Sequence, residues 1–374
     1  MWTIALKTLI VDRGKLATAI VGVVFSIVLV NIQGGLFVGL IRKASLLVEQ
    51  GDADLWVGHR QMKNVDFPHD IPRSWEHRIR SVDGVLRAEP YIVGHSVMTL
   101  PSGGFEQVLV VGCDPASLLG SVSDASCQSR CKVHETDGVL VDRRDAHKIE
   151  NPRIGDVREI GRRRARVVGF TDGVLGFLVT PYVFTTLDRA TNYLHKDPGQ
   201  VSYFLVQVAP NADPDEVCER IRQRVPDAEA FTRDQYSSES IEYWLKRTGL
   251  GISFGASTAL GLLVGLAIVG QTLYASVLDR LGEFGSLKAM GASERQIYTM
   301  IVRQAAMLAI VGSIIGLLIV AVAQRGLSSP RAPIAISWQM ALASSLLVTT
   351  ICLLASMFPY LRIRRIDPAM VLQS

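Results

Sequence analysis

The chain has 374 residues, of which 48 % are hydrophobic and only 20 % charged, against about 25 % charged residues in ordinary soluble domains. Its net charge of +4 is mild, and no basic-aromatic pattern speaks for nucleic acid as a partner. Its five cysteines include no second Cys/His pair at zinc spacing beside Cys127-x3-Cys131, which argues against a structural metal site.

The apolar excess is concentrated in four windows free of Asp, Glu, Lys, Arg and His: Leu16–Ile41, Thr248–Leu278, Gln304–Gln324 and Ala332–Leu361. Each reaches the roughly 20 residues that a helix needs to cross a ~30 Å hydrocarbon core. Residues 1–15 form a short basic lead, and 16–41 is the first span. That span is too long for a signal-peptide core and has no small-x-small cleavage site before Arg42, so it reads as uncleaved. Residues 42–247 have soluble composition and form a large domain between spans one and two.

Within that domain Asp54–Gly58 reads as a strand and Pro72–Val82 as a helix with Trp75, Ile79 and Val82 on one face. Val85–Leu100 and Phe105–Gly112 are further strands. The pattern returns with the strand Val201–Val208, the helix Asp213–Arg224 (Asp213 as N-cap, Pro214 at the first position) and a strand over AEAFTRD. Two β-α-β units on one plan are therefore expected in one lobe, residues 42–113 with 191–235. Residues 114–190, containing DGVLVDRR, RRRARVVGF and PYVFTTL, read as an inserted β-rich lobe. The basic run Arg162–Arg164 with Arg166 reads as a solvated hairpin.

The remaining elements follow as span 248–278, a polar segment 279–300, span 301–324, a short loop 325–336, span 337–361 and a tail 362–374. Lys7, Arg13 and Lys15, then Arg280, Lys288 and Arg295, then Arg362, Arg364 and Arg365 flank one side of the spans. Only Arg325 and Arg331 flank the other among the short loops, which puts both termini and segment 279–300 in the cytoplasm and the large domain outside.

No phosphate loop, HExxH or GxSxG occurs, and the seven histidines lie without ligand spacing. No catalytic, cofactor or metal residue is expected. Asp and Glu are absent from the span interiors, where an ion-coupled carrier would need them. Gly35/Gly39, Gly251/Gly255, Gly261/Gly265 and Gly312/Gly316 form GxxxG pairs that suit close helix packing. Asn31, Gln33 and Gln271 suit hydrogen bonding between spans.

Segment 279–300 is more patterned than a connector. Leu281, Phe284 and Leu287 form an apolar stripe bordered by Asp279, Arg280, Glu283 and Lys288, with Ala289 and Met290 beyond. Gly291 reads as a helix C′ residue, and Ser293 with Gln296 as a capping box opening the next helix. Such a stripe either lies on the membrane face or enters a protein groove.

The run LGEFGSLKAMGASERQIYTMIV resembles the cytoplasmic segment of FtsX-type permeases, the family that includes MacB, LolC/LolE and DevC. The ending PYLRIRRIDPAMVL and the order of one span, a large outer domain and three spans are similar as well. The interrupted β-α-β lobe resembles the MacB-type periplasmic core, and GDADLWV, IPRSWEHRIRSVDGV and VVGCDP look most like DevC-type members. The resemblance implies an α-helical integral membrane protein with four transmembrane helices and a two-lobed extracytoplasmic α+β domain. It implies a non-enzymatic permease subunit in the inner membrane, paired with a second copy and driven by a separate cytoplasmic ATPase dimer that binds ATP and magnesium. Leu281, Glu283, Phe284, Leu287, Lys288, Gly291, Ala292 and Ser293 then become the ATPase-docking segment. A periplasmic adaptor and an outer-membrane tunnel are implied as partners, membrane lipids as surroundings, and a lipid-like or small hydrophobic cargo as freight. Lipoprotein release in the LolC/LolE manner and FtsX-like activation of cell-wall hydrolases are the alternatives.

Overall fold

The computed structural model describes residues 13–121, 132–174, 176–177, 180–247, 249–279, 291–327 and 334–357. They fall into two compact units, Leu40–Leu250 and the described parts of Met1–Gly39 with Gly251–Ser374.

The first helix, α1 (Arg13–Ile41), is apolar all round, the pattern of a helix surrounded by apolar solvent. A 3-10 turn (Arg42–Ala44) and short α2 (Leu46–Gln50) lead into the outer unit. There β1 (Leu55–His59), α3 (Trp75–Arg80) and β3 (Val85–Thr99) make one β-α-β unit. The second unit is β10 (Tyr203–Val208), α5 (Pro214–Arg224) and β11 (Ala228–Thr232). The two interlock in the strand order β11-β1-β10-β3, every pair antiparallel, which is the split β-α-β plan. Alternation along β1 sends Leu55 and Val57 towards Ile79, Val217 and Ile221 of the helices. Trp56 goes to the opposite face, among Tyr91, Tyr203 and Tyr236. The expected cap forms at α5, where Asp213 Oδ1 accepts from the Asp215 N–H at 3.0 Å.

The other lobe uses the second half of β3 together with β4 (Phe105–Cys113), β5 (Gly138–Asp142), β6 (Val157–Ile160), β7 (Arg163–Thr171) and β8 (Tyr182–Thr186). β4 pairs with β8, β8 with β5, β5 with β7 and β7 with β6. β6 returns to β3 through Met98↔Ile160 and Thr99↔Glu159, so six strands close on themselves. Closure removes the exposed edge that an open sheet would present. The β6–β7 hairpin turns on Gly161 and Arg162, both at positive φ (54° and 61°), as a tight two-residue hairpin requires.

The structure corrects the grouping of β4. The sequence places it with the β-α-β lobe, but its hydrogen bonds run to β3 from Ile92 onwards and to β8. The division therefore falls inside β3, whose residues up to Tyr91 pair with β10. Helices α4 (Leu187–Leu194) and α6 (Arg233–Arg247) were not foreseen. β2 (Ile71–Pro72) and β9 (Gln200–Val201) form a small separate ribbon.

In the other unit stand α7 (Leu250–Leu278), α8 (Glu294–Leu327) and α9 (Trp338–Ala355). With α1 they are the four helices among the described residues long and apolar enough to cross a membrane. α8 has 34 residues and is about 51 Å long, well over the ~30 Å of a hydrocarbon core. It begins at Glu294, so the end of segment 279–300 and the third span are one continuous helix.

Candidate functional site

The corner before α8 is a helix start built by its own side chains. Gly291 sits at φ +93°, where a side chain is strained. The Ser293 N–H donates to Gln296 Oε1 at 3.0 Å, and the Gln296 N–H donates to Ser293 Oγ at 3.4 Å. This reciprocal pair satisfies two helix-end donors. Gly291 and Ser293 are exposed and Ala292 is half-buried. Leu281, Glu283, Phe284, Leu287 and Lys288 lie outside the described residues, as do Cys127, Cys131 and the ending PYLRIRRIDPAMVL. Beyond the corner, Ile297, Ile301, Ala305, Leu308 and Ala309 form a buried stripe, so α8 is anchored from its second turn onwards.

Two of the four glycine pairs meet α1. A Cβ added at Gly312 would fall 2.5 Å from Val23 Cγ1, and one at Gly316 would fall 2.7 Å from Ile27 Cγ2. Gly261 and Gly265 of α7 stand still closer to Leu29 and Ser26 of α1. Gly35 instead meets the chain before α9: its carbonyl accepts from the Ala335 N–H at 3.0 Å, and a Cβ would lie 2.7 Å from Ile336 Cγ1. Gly39 is buried and Gly251 half-buried, but Gly255 is exposed with open space around it. The pair Gly251/Gly255 thus meets no neighbouring helix at Gly255 among the described residues. Asn31 joins two spans, donating to Ser344 Oγ at 2.8 Å.

In the outer unit, the chain following α1 and the chain preceding α7 are anchored together. Ala44, Phe177 and Trp244 are buried in one cluster with Leu40, Ile241 and Leu250 against it. The Phe177 and Trp244 rings stack at 3.9 Å. Glu49 Oε1 of α2 accepts from Ser45 Oγ at 2.6 Å and from Ser237 Oγ of α6 at 2.9 Å. Lys43 is 4 % exposed, with Asp145 nearby. Asp145 in turn holds Lys148 Nζ at 2.5 Å.

A cleft of about 700 Å³ opens on the same unit, lined among others by Lys63, Asp66, Phe67, His95, Tyr243 and Arg247. Asp66 Oδ1 accepts from the Tyr182 hydroxyl at 2.7 Å, yet burial outweighs that bond and pushes its pKa up to about 6. Burial also lowers the His95 imidazole below the usual histidine range. These residues come from four distant stretches of chain, so no local motif announces them.

Residues 16–224 match the MacB-like periplasmic core domain family and residues 255–368 the FtsX-like permease C-terminal family. An uncharacterized ABC transporter permease of Methanocaldococcus jannaschii is 26 % identical over 45 % of this chain and 42 % of its own length. A second, from Mycobacterium tuberculosis, is 28 % identical over 58 % of this chain and 57 % of its own. The chain thus spans about half the length of the curated relatives it matches. The periplasmic region of MacB from Actinobacillus actinomycetemcomitans aligns with a TM-score of 0.39 at 10 % identity, covering 51 % of this chain and 94 % of that one.

Proposed function

The chain belongs to the MacB-like periplasmic core domain family, with an FtsX-like permease C-terminal part, and on that premise we propose that it carries motion from a cytoplasmic ATPase to its outer domain. In this reading it is the non-enzymatic permease subunit of an ABC exporter in the inner membrane, working as a dimer with both termini inside. ATP and magnesium belong to the partner ATPase. The stripe of Leu281, Phe284 and Leu287, flanked by Glu283 and Lys288, docks on that ATPase, and the corner at Gly291–Ser293 passes its movement to α8. An adaptor and an outer-membrane tunnel complete the route for a lipid-like or small hydrophobic cargo.

The observation that carries this reading is the joint in the outer unit. The residues leaving α1 and those entering α7 are held side by side, with Ala44 and Trp244 buried in one cluster and Ser237 hydrogen-bonded to Glu49, so a pull along either helix meets one packed core. Span interiors free of Asp and Glu support it too, since coupling charge has no place to bind.

Docking is tested by Leu287→Glu. Burying a Leu in a groove contributes roughly 1.5–3 kcal/mol, and a charge left unpaired there costs several kcal/mol more. The ATPase subunit should therefore be lost from membrane pull-downs while the chain still inserts, and Glu239→Lys should leave it bound. Retention of the ATPase by Leu287→Glu at wild-type level would overturn the docking assignment.

A further inference from the structure

The coupling reading makes no use of the cleft around Asp66, and the charges there sort into an instructive pattern. Lys196 Nζ is taken up by Asp70 and, at 3.2 Å, by Ser202 Oγ, so that pair neutralises itself. Asp66, only 3 % exposed, is held by Tyr182 and forms no ion pair among the described residues. Lys63 and Arg247 are exposed on the same cleft and likewise enter no salt bridge among the described residues. A buried acid and two cations outside any salt bridge among the described residues thus share one cavity, with Glu242 acting on Lys63 only at longer range. A ligand bearing both signs on a short tether satisfies all three.

The apolar wall narrows the choice. Phe67 is 46 % exposed, and its ring stands 5.6 Å from His95 and 6.1 Å from Trp244. Tyr243, Trp244 and Arg247 all lie on α6, and the membrane-length helix α7 begins at Leu250. Aromatic and basic residues at the end of a span are the composition of a membrane–water interface.

We propose that this cleft receives the phosphoethanolamine headgroup of a membrane lipid, its phosphate against Lys63 and Arg247 and its ammonium against Asp66 and the face of Phe67. The primary ammonium donates charge-assisted hydrogen bonds to the carboxylate and is attracted by the ring. A choline head has no N–H to donate, and a glycerol head has no positive charge. The inference rests on the reading of the chain as a membrane permease.

The test uses the full chain in a maltoside detergent. It is titrated calorimetrically with dihexanoyl phosphatidylethanolamine, its choline and glycerol counterparts, and chain-free glycerophosphoethanolamine. The ethanolamine lipid should bind about tenfold more tightly than either other lipid, the worth of one charge-assisted contact. Asp66→Asn, which can still accept from Tyr182, should bring the three lipids within about twofold of each other. Lys63→Glu combined with Arg247→Glu should weaken all of them about tenfold or more. Absence of saturable binding, a preference kept by Asp66→Asn, or wild-type binding by the double variant would each overturn the site. Equal affinity for lipid and glycerophosphoethanolamine would overturn the membrane lipid as the ligand. ATPase pull-down by the wild-type chain tests the permease reading by itself, so absent lipid binding beside a retained ATPase removes the headgroup site alone.

Discussion

Asp66 shows how a single side chain sets a pH response. Burial raises its carboxyl to about 6 from 3.8, with the Tyr182 bond opposing. The folded chain therefore holds a proton that the unfolded chain has released, and stability falls as pH rises from about 4 to about 6. A difference of that size corresponds to about 3 kcal/mol. Asp66→Asn should accordingly raise the melting temperature of the outer unit at pH 7.5 and have little effect at pH 4, as followed by tryptophan fluorescence of the full chain. A difference independent of pH would show that the charge is not its source. Gly312 makes a packing case. A leucine there would drive into Val23, and overpacking costs typically 1–3 kcal/mol. Gly312→Leu should lower detergent stability by about that amount, while Gly255→Leu, facing open space, should leave it unchanged. The glycine spacing was legible in the sequence, but which pairs have a partner was not. A GxxxG repeat gives the near face of its own helix and says nothing of what lies opposite.

At the scale of elements, periodicity served where the apolar residues are dense and the caps standard. For α5 the sequence identified the cap, the proline and the buried face of Val217 and Ile221. For α6 it failed, because Tyr236 and Trp244 are two large apolar anchors spaced eight residues apart in a polar run, RDQYSSESIEYWLKR. That helix is held by tertiary contacts, and propensity alone does not call for it. β4 was misgrouped for a related reason: strand pairing is a property of two segments, and neither carries it alone. The corner at α8 was legible because a capping box is local. Ser293→Ala should cost about 1 kcal/mol of helix-end stability, measured as faster amide exchange over 293–297 in detergent. Gly291→Val should act elsewhere. The strain of a branched residue at φ +93° is of order 1–3 kcal/mol, enough to redirect the approach to α8. If the proposed coupling holds, ATP hydrolysis should persist with the ATPase still bound while the proposed export fails. Loss of ATPase binding by Gly291→Val would assign the glycine to docking.

For the molecule as a whole, the charge asymmetry of the flanks predicts which side each segment faces. Single cysteines replacing Ser286 and the exposed Ser102, in a cysteine-free background, should react with an impermeant thiol reagent from opposite faces of the membrane. Labelling of both from one face would reverse the assignment. The outer unit carries a further consequence in β3. Its fifteen residues run about 50 Å, and Val85–Tyr91 are stitched to β10 while Ile92–Thr99 are stitched to β4. No linker separates the two lobes; they share one beam. Ladder hydrogen bonds lie across the strand direction, so tension along β3 loads whole rows of them together, whereas peeling would break them one by one. The outer unit should respond to a tug as a stiff spar that turns or slides entire, with any bending left to the chain at its ends.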